Sequence, residues 1–205
     1  MRIGFFGGSF NPPTYAHMNI AKISIEQLKL DKFFFVPVGN LYNKPELIDE
    51  NYRYDMLKIA CENENNIFVE DIELKQSKKL STIEAFEMIE NKYKMTQNLE
   101  IFFVMGADNF VKLPNWNKAE DLISKYKYII FERGDFNLKE EIEKNDILKK
   151  NMKNFNILKL DGNSKTSSGI IRNLVNEEKY EECKKFTKPE VIQYIKENKL
   201  YLKIN

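Results

Sequence analysis

The sequence holds a single histidine, His17, at the end of the stretch GGSFNPPTYAH, residues 7–17. A short apolar run, residues 2–6, precedes this stretch, and a segment of helical period follows it. Gly7 and Gly8 let the backbone turn tightly and approach a ligand where a side chain would stand in the way. A helix opening at TYAH points unpaired N–H groups and the positive end of its dipole at the same place, which suits a phosphate. His17, in the first turn, adds a donor with the same aim. The competing reading is a lone structural histidine. The meeting of glycines, turn and helix start favours the phosphate. Neither the dinucleotide fingerprint G-x-G-x-x-G nor the Walker ending G-K-[ST] occurs here, so the loop belongs to neither class.

Other residues invite chemistry of the same kind. DGNSKTSSGIIR, residues 161–172, gathers hydroxyls and amides at a second helix start, with Ser167 and Ser168 at its tip. Arg172 lies four residues after Ser168, one turn along on the same face. Spacing alone leaves a phosphate clamp and an N-cap with a surface arginine equally open. Lys44 and Arg133 are further cations on loops that follow strands, where a lysine is otherwise simply solvated. Asp108, just beyond the apolar run IFFVM, offers a carboxylate to ribose hydroxyls, and Gly106 permits close approach. The alternative for Asp108 is an N-cap before residues 109–111. Ser81-Thr82-Ile83-Glu84 is a capping box, which leaves the amides of Thr82 and Ile83 at a positive helix end. Two such amides suit a carboxylate better than a carboxamide. An ordinary capped helix facing water has the same sequence.

These residues need elements to hold them. Strands are predicted at 2–6, 32–38, 67–70, 100–105, 127–132 and 155–160. Continuous apolar runs such as IFFVM and FFFVPV suit strands buried on both faces, as in a parallel sheet. Helices are predicted at 17–28, 52–62, 82–93, 119–125, 138–149, 168–176 and 189–198. Strand and helix alternating along one chain imply right-handed crossovers and an α/β fold with a doubly wound parallel sheet. Ligands in such sheets bind beyond the carboxyl ends of the strands, near the topological switch. All the residues singled out above follow a strand or open a helix.

Composition bounds the rest. The 205 residues suit one domain spanning residues 1–205, without repeats or a linker. Lysine plus arginine, 32, nearly balances aspartate plus glutamate, 31, so no global field favours a nucleic acid polymer or an anionic membrane. Anionic ligands must therefore be held by local features. The opening MRIGFFGG is too short for a signal peptide and no apolar run approaches a membrane span, so a cytoplasmic protein is expected. Cys61 and Cys183, with no C-x-x-C and no histidine close in sequence, read as free, partly buried thiols. Residues 135–154, dense in lysine, glutamate and asparagine, read as a solvated peripheral helix and loop.

Thr14-Tyr15-Ala16-His17 resembles the [H/T]-x-G-H motif of a nucleotidyltransferase superfamily, with alanine at the glycine position. IFFVMGADNFVKLPNW, residues 101–116, runs from a strand into G-x-D and then leucine and tryptophan at the family's spacing. TSSGIIR, residues 166–172, resembles the second phosphate motif S-[ST]-x-x-I-R, with Gly169 where a small hydroxyl residue is usual. VPVGNLYNKPE, residues 36–46, resembles a substrate loop whose proline pair and histidine-lysine are here Leu41-Tyr42 and Asn43-Lys44. LSTIEAF, residues 80–86, and the tail VIQYIKENKLY, residues 191–201, fit as well. Taken in order over nearly the whole chain, the set is similar to the bacterial nicotinate-nucleotide adenylyltransferase family.

The resemblance implies a Rossmann-like sheet of nucleotidyltransferase type and adenylyl transfer from ATP to nicotinate mononucleotide, giving deamido-NAD and pyrophosphate. It assigns ATP binding to Gly7, Gly8, Ser9, Phe10, Thr14, His17, Gly106, Asp108, Ser167, Ser168 and Arg172. It assigns the mononucleotide to Asn40, Lys44, Thr82, Ile83, Trp116 and Arg133. Trp116, otherwise core filler, would stack on the pyridine ring. The nucleophile would be a phosphate monoester with a second pKa of about 6, already mostly dianionic at neutral pH. No general base is then required, and His17 and Arg172 would act by managing charge. Magnesium is expected to arrive with ATP, since it binds mainly through phosphates and few protein carboxylates. A homo-oligomer is compatible with all this. The rivals are phosphopantetheine adenylyltransferase, a preference for nicotinamide mononucleotide, and a non-catalytic nucleotide sensor, the last motivated by Ala16, Gly169 and the altered substrate loop.

Overall fold

The apolar runs fold as six strands: β1 (Arg2–Gly8), β2 (Lys32–Pro37), β3 (Ile67–Val69), β4 (Glu100–Gly106), β5 (Lys127–Glu132) and β6 (Phe155–Lys159). The structure is a computed structural model that describes residues 1–42, 44–74, 76–132, 137–160 and 167–202. All the strands run parallel in the order β3-β2-β1-β4-β5-β6. The chain moves outward from β1 to β3, crosses back to place β4 beside β1, and continues to β6. This is a doubly wound α/β sheet whose switch point lies between β1 and β4. A crevice at that switch point would lie just past Gly8 and Gly106.

The strands alternate their side chains between two apolar layers, as parallel strands covered on both faces must. Phe33, Phe35, Phe102, Val104, Ile129 and Phe131 face one layer, with Met18, Met56, Leu57, Ile171, Val175 and Ile195. Those partners come from α1 (Tyr15–Leu28), α2 (Glu50–Cys61), α8 (Ser168–Asn176) and α10 (Pro189–Glu197). Ile3, Phe5, Phe34, Phe103, Tyr128 and Ile130 face the other, against Ile83, Phe86, Leu122, Leu138, Ile142 and Leu148. Those come from α3 (Thr82–Tyr93), α5 (Ala119–Lys125), α6 (Leu138–Glu143) and α7 (Asp146–Lys150).

Several expectations need correction. The helix predicted at 138–149 is two helices, because the Asn145 side chain accepts from the amides of Ile147 and Leu148, both at 3.1 Å, and so caps a new helix. Within this charge-dense stretch Leu138, Ile142 and Leu148 are fully buried, so it is not merely a solvated periphery. After β4 the chain forms a short helix, α4 (Ala107–Phe110), and then a 3₁₀ turn at Leu113–Asn115. Another unpredicted short helix, α9 (Tyr180–Cys183), precedes α10. Cys61 and Cys183, read as free and partly buried thiols, are free and buried, and burial pushes the Cys61 thiol up to about 12. Among the described residues no helix is long and apolar enough to cross a membrane.

Candidate active site

The loop from β1 to α1 shows why its two glycines differ. A Cβ at Gly8 would stand 2.9 Å from the Phe10 ring, whereas one at Gly7 would meet nothing within 4 Å. Gly8 is therefore dictated by packing, and Gly7 leaves open space at the end of β1. Phe10 adopts a left-handed backbone with φ 45°. Its ring, 2% exposed, packs edge-on against Phe6, His17 and Phe35. Any contact from Phe10 to a nucleotide therefore falls to its backbone, while its ring props His17 from below.

His17 occupies the third position of α1 and completes a capping box in a role usually filled by glutamate or glutamine. The amide of Thr14 donates to His17 Nδ1 at 3.0 Å, and Thr14 Oγ1 accepts from the amide of His17 at 3.4 Å. With Nδ1 accepting, the hydrogen of the neutral ring sits on Nε2, so the imidazole presents a donor from a fixed orientation. The amide of Tyr15 already donates to the carbonyl of Phe186 at 2.8 Å. The helix start thus offers fewer unpaired amides than the sequence suggested, because two of the first-turn amides are engaged.

α8 brings the second motif to the same loop. Ser168 Oγ donates to the carbonyl of Pro12 at 2.7 Å, and Arg172 Nη1 donates to the carbonyl of Asn11 at 2.9 Å. Arg172 Nη2 pairs with Glu46 Oε2 at 2.8 Å. Ser167 is the N-cap of α8 and makes no side-chain cap bond. A Cβ at Gly169 would touch Ser167 Oγ at 3.6 Å and Arg172 Nη2 at 3.9 Å, both ordinary contacts. Space does not dictate that glycine.

The substrate loop reaches back as well. Lys44 Nζ donates to Ser9 Oγ at 3.3 Å. Asn11 Nδ2 donates to the carbonyl of Glu46 at 2.7 Å, and Tyr201 Oη donates to Asn11 Oδ1 at 2.9 Å. Asn11, 6% exposed, thus ties β1's loop to the substrate loop and to the far end of the chain. Asn11, Glu46 and Tyr201 lie inside the stretches 7–17, 36–46 and 191–201, but nothing in the sequence singles them out. Asn40 is committed to α2: its amide and side chain bond Glu50 Oε2, Asp49 Oδ2 and the amide of Glu50 at 2.6–2.7 Å.

Across the switch point, Gly106 is the N-cap of α4 and Asp108 lies exposed in its first turn. The alternative reading of Asp108 as an N-cap is therefore incorrect. A Cβ at Gly106 would stand 2.6 Å from Asp108 Oδ1, so the glycine makes room for that carboxylate. Among the described residues no group of three or more His, Cys, Asp or Glu is arranged to hold a metal ion.

A separate open cleft of about 440 Å³ is lined by Lys79, Leu80, Ser81, Ile83, Glu84, Asn117 and Lys118. Here the predicted capping box forms: Ser81 donates to Glu84 Oε2 through its amide at 2.8 Å and its hydroxyl at 2.7 Å. The bond from Lys78 and those two from Ser81 hold the Glu84 carboxyl down to about 2. Trp116 is half-buried and packs on the core beside this cleft, and the two residues after it form part of the wall. Lys79 also stacks on Tyr42 of the substrate loop, 4.4 Å from the ring centre, which links the cleft to that loop. Arg133 lies outside the described residues, as do Asn43 and Thr166 of the two loop motifs.

The description "cytidylyltransferase-like" belongs to the family whose sequence model matches residues 5–174. A Clostridium acetobutylicum protein named "probable nicotinate-nucleotide adenylyltransferase" is 34% identical over 200 residues, 96% of this chain and 97% of its own. The chain belongs to the nicotinate-nucleotide adenylyltransferase family. A relative of the same name from Clostridium botulinum is 30% identical over 203 residues, 98% of each chain. Among solved structures, a Plasmodium falciparum nicotinic acid mononucleotide adenylyltransferase complexed with NaAD aligns with a TM-score of 0.77. It is 26% identical, and the match covers 98% of this chain and 97% of that chain. In this nicotinate-nucleotide adenylyltransferase family member, the matched span includes His17, Asp108, Trp116 and Arg172 and stops inside α8. Tyr201, which braces Asn11, lies beyond it.

Proposed function

We propose that this chain transfers the adenylyl group of ATP to nicotinate mononucleotide in a single in-line displacement. An oxygen of the mononucleotide phosphate attacks the α-phosphorus of ATP, the bond to the β-phosphate oxygen breaks, and pyrophosphate leaves with the electron pair. The observation that carries the reading is the convergence of α1 and α8 on one loop: His17 and Arg172 are both anchored to residues 11–14 at the end of β1. Nε2–H of His17 and the guanidinium of Arg172 then act as preorganised donors to charge developing on the phosphates. Lys44, bonded to Ser9, supplies a cation from the substrate loop. Magnesium carried on the ATP phosphates would neutralise the leaving group, and Asp108 is the exposed carboxylate at the strand end suited to hold it through water.

The second substrate is assigned to the cleft at the start of α3. Lys79 and Lys118 line it, and Glu84, the one carboxylate among the described residues that line it, is already paired with Lys78. The amides of Thr82 and Ile83 open the helix there, so the local field and donors favour an anionic pyridine carboxylate over a neutral amide. Purified protein with ATP, magnesium and a panel of mononucleotides tests both halves of the reading. Deamido-NAD and pyrophosphate should appear, with kcat/KM for the nicotinate form at least tenfold above that for the nicotinamide form, about 1.4 kcal/mol. Absence of any dinucleotide product would leave a nucleotide sensor. Equal use of both pyridines would remove the cleft assignment alone.

A further inference from the structure

Arg53, in α2, is among the largest side chains with no exposed surface. Its guanidinium donates to three backbone carbonyls: Nε to Ile48 at 2.9 Å, Nη1 to Ser9 at 3.1 Å and Nη2 to Val38 at 2.6 Å. Ser9 belongs to the loop after β1, Val38 opens the substrate loop after β2, and Ile48 closes that loop just before α2. Packing does not explain Arg53. Taking an ion out of water costs several kcal/mol, and an apolar side chain of similar volume would fill the space without that penalty.

A guanidinium supplies something an apolar residue or a lysine does not, namely a rigid planar fork of donors in fixed directions. Here one prong ends on the loop after β1 and the other two on the two ends of the substrate loop. The nearby acids do not draw the fork away. Asp49 accepts from Asn40 and Asn51, and Glu50 accepts from the amide of Asn40. The two loops are already joined at their roots by the amide of Val38 donating to the carbonyl of Gly8 at 3.0 Å. Arg53 joins them one residue further out, nearer the place where the two substrates would meet.

We infer that Arg53 is a positioning residue that fixes the loop after β1 against the substrate loop and so holds the two reactants in line. The inference rests on the adenylyltransferase reading above. Displacement of a reacting group by about 1 Å can cost roughly 10² in rate without a matching loss of binding. Arg53→Lys keeps the charge and loses the fork. Its kcat, per folded molecule, should fall about 30- to 100-fold while KM for ATP and for nicotinate mononucleotide each stay within about threefold. In Arg53→Ala, ethylguanidinium at millimolar concentration should restore part of the lost kcat. A second readout does not need turnover: α,β-methylene-ATP should slow amide hydrogen exchange at residues 39–42 in the wild type and not in Arg53→Lys. Near-normal kcat with intact exchange coupling in Arg53→Lys would overturn the inference. So would variants that fold in no condition tried, which would make Arg53 a strut of the fold itself. An inactive wild type would instead sink the adenylyltransferase reading, and the exchange experiment would still decide the role of Arg53.

Discussion

His17 carries two jobs that can be separated by substitution. Its Nδ1 caps α1 by accepting from Thr14, and on the proposed reading its Nε2–H would donate to phosphate. His17→Ala loses both and should lower kcat by roughly 10²–10³, the cost of one preorganised donor. It should also cost about 0.5–2 kcal/mol of stability through the cap. Glutamate is the usual partner at this position of a capping box. His17→Glu should therefore regain most of the stability while turning over no faster than His17→Ala, as denaturant melts and steady-state rates will show. Recovery of activity in His17→Glu would mean that the cap, not the donor, is what catalysis needs. Glu46 raises a different question, because its carboxylate sits on the guanidinium assigned to ATP. Glu46 is 70% exposed and Arg172 26% exposed, so the pair adds at most about 1 kcal/mol to stability. On the proposed reading, ATP phosphates would displace that carboxylate. Glu46→Gln should lower KM for ATP by about two- to fivefold and leave kcat within about twofold, the scale of a surface ion pair. A raised KM would show instead that Glu46 steers Arg172 into place.

At the scale of elements, the segment between β3 and α3 carries a titrating group beside the substrate loop. Burial pushes the Glu73 carboxyl up from its ordinary value to about 7. Its backbone carbonyl stands 2.7 Å from where a Cβ at Gly39 would lie, and the two residues share a small pocket with Tyr42, Glu50, Lys78 and Lys79. Between the ordinary carboxylate pKa and about 7 the folded chain holds a proton that the unfolded chain has released. Stability from this group is therefore present at low pH and falls as pH rises through that window. Glu73→Gln should be more stable than the wild type at pH 8, by up to about 3 kcal/mol, and no more stable at pH 4. Denaturant titrations at the two pH values decide it, and a difference independent of pH would point to packing.

The same scale shows what the sequence made legible. Short apolar runs marked the strands, because burial on both faces leaves little room for polar alternation. The capping box of α3 followed from local hydrogen-bonding residues, and α5 and α8 have the predicted bounds although neither N-cap makes a side-chain bond. The break at Asn145 was missed because lysine and glutamate on both sides keep a helical period. Arg53 and Glu46 were missed for a deeper reason: their partners, Ser9, Val38 and Arg172, are set by topology and not by neighbours in sequence.

Over the whole molecule, the strand order gathers the site from opposite ends of the chain. Because β1 and β4 are central, the loop after β1 is met by α8 and then by the residues that follow α10. Ser168 bonds Pro12, Arg172 bonds Asn11, and Tyr201 bonds Asn11, at sequence separations of 156, 161 and 190 residues. The last contact braces a residue that itself holds Arg172 and the backbone of Glu46. Burial pushes the Tyr201 hydroxyl well above the usual phenol range, so it stays a neutral donor at any physiological pH. Tyr201→Phe keeps the ring and strands Asn11 Oδ1 in a place with little access to water. The stranded acceptor should cost about 1–3 kcal/mol, since a buried polar group without its partner loses its full desolvation energy. For a chain of this length that is a fall of several degrees in Tm, about 2–4 °C per kcal/mol. The kinetic effect should be smaller, roughly two- to tenfold in kcat, because Asn11 keeps its backbone bond to Arg172. Calorimetry and initial rates on the same preparation measure both. A Tyr201→Phe protein that melts with the wild type would show that the end of the chain bears no load at the site.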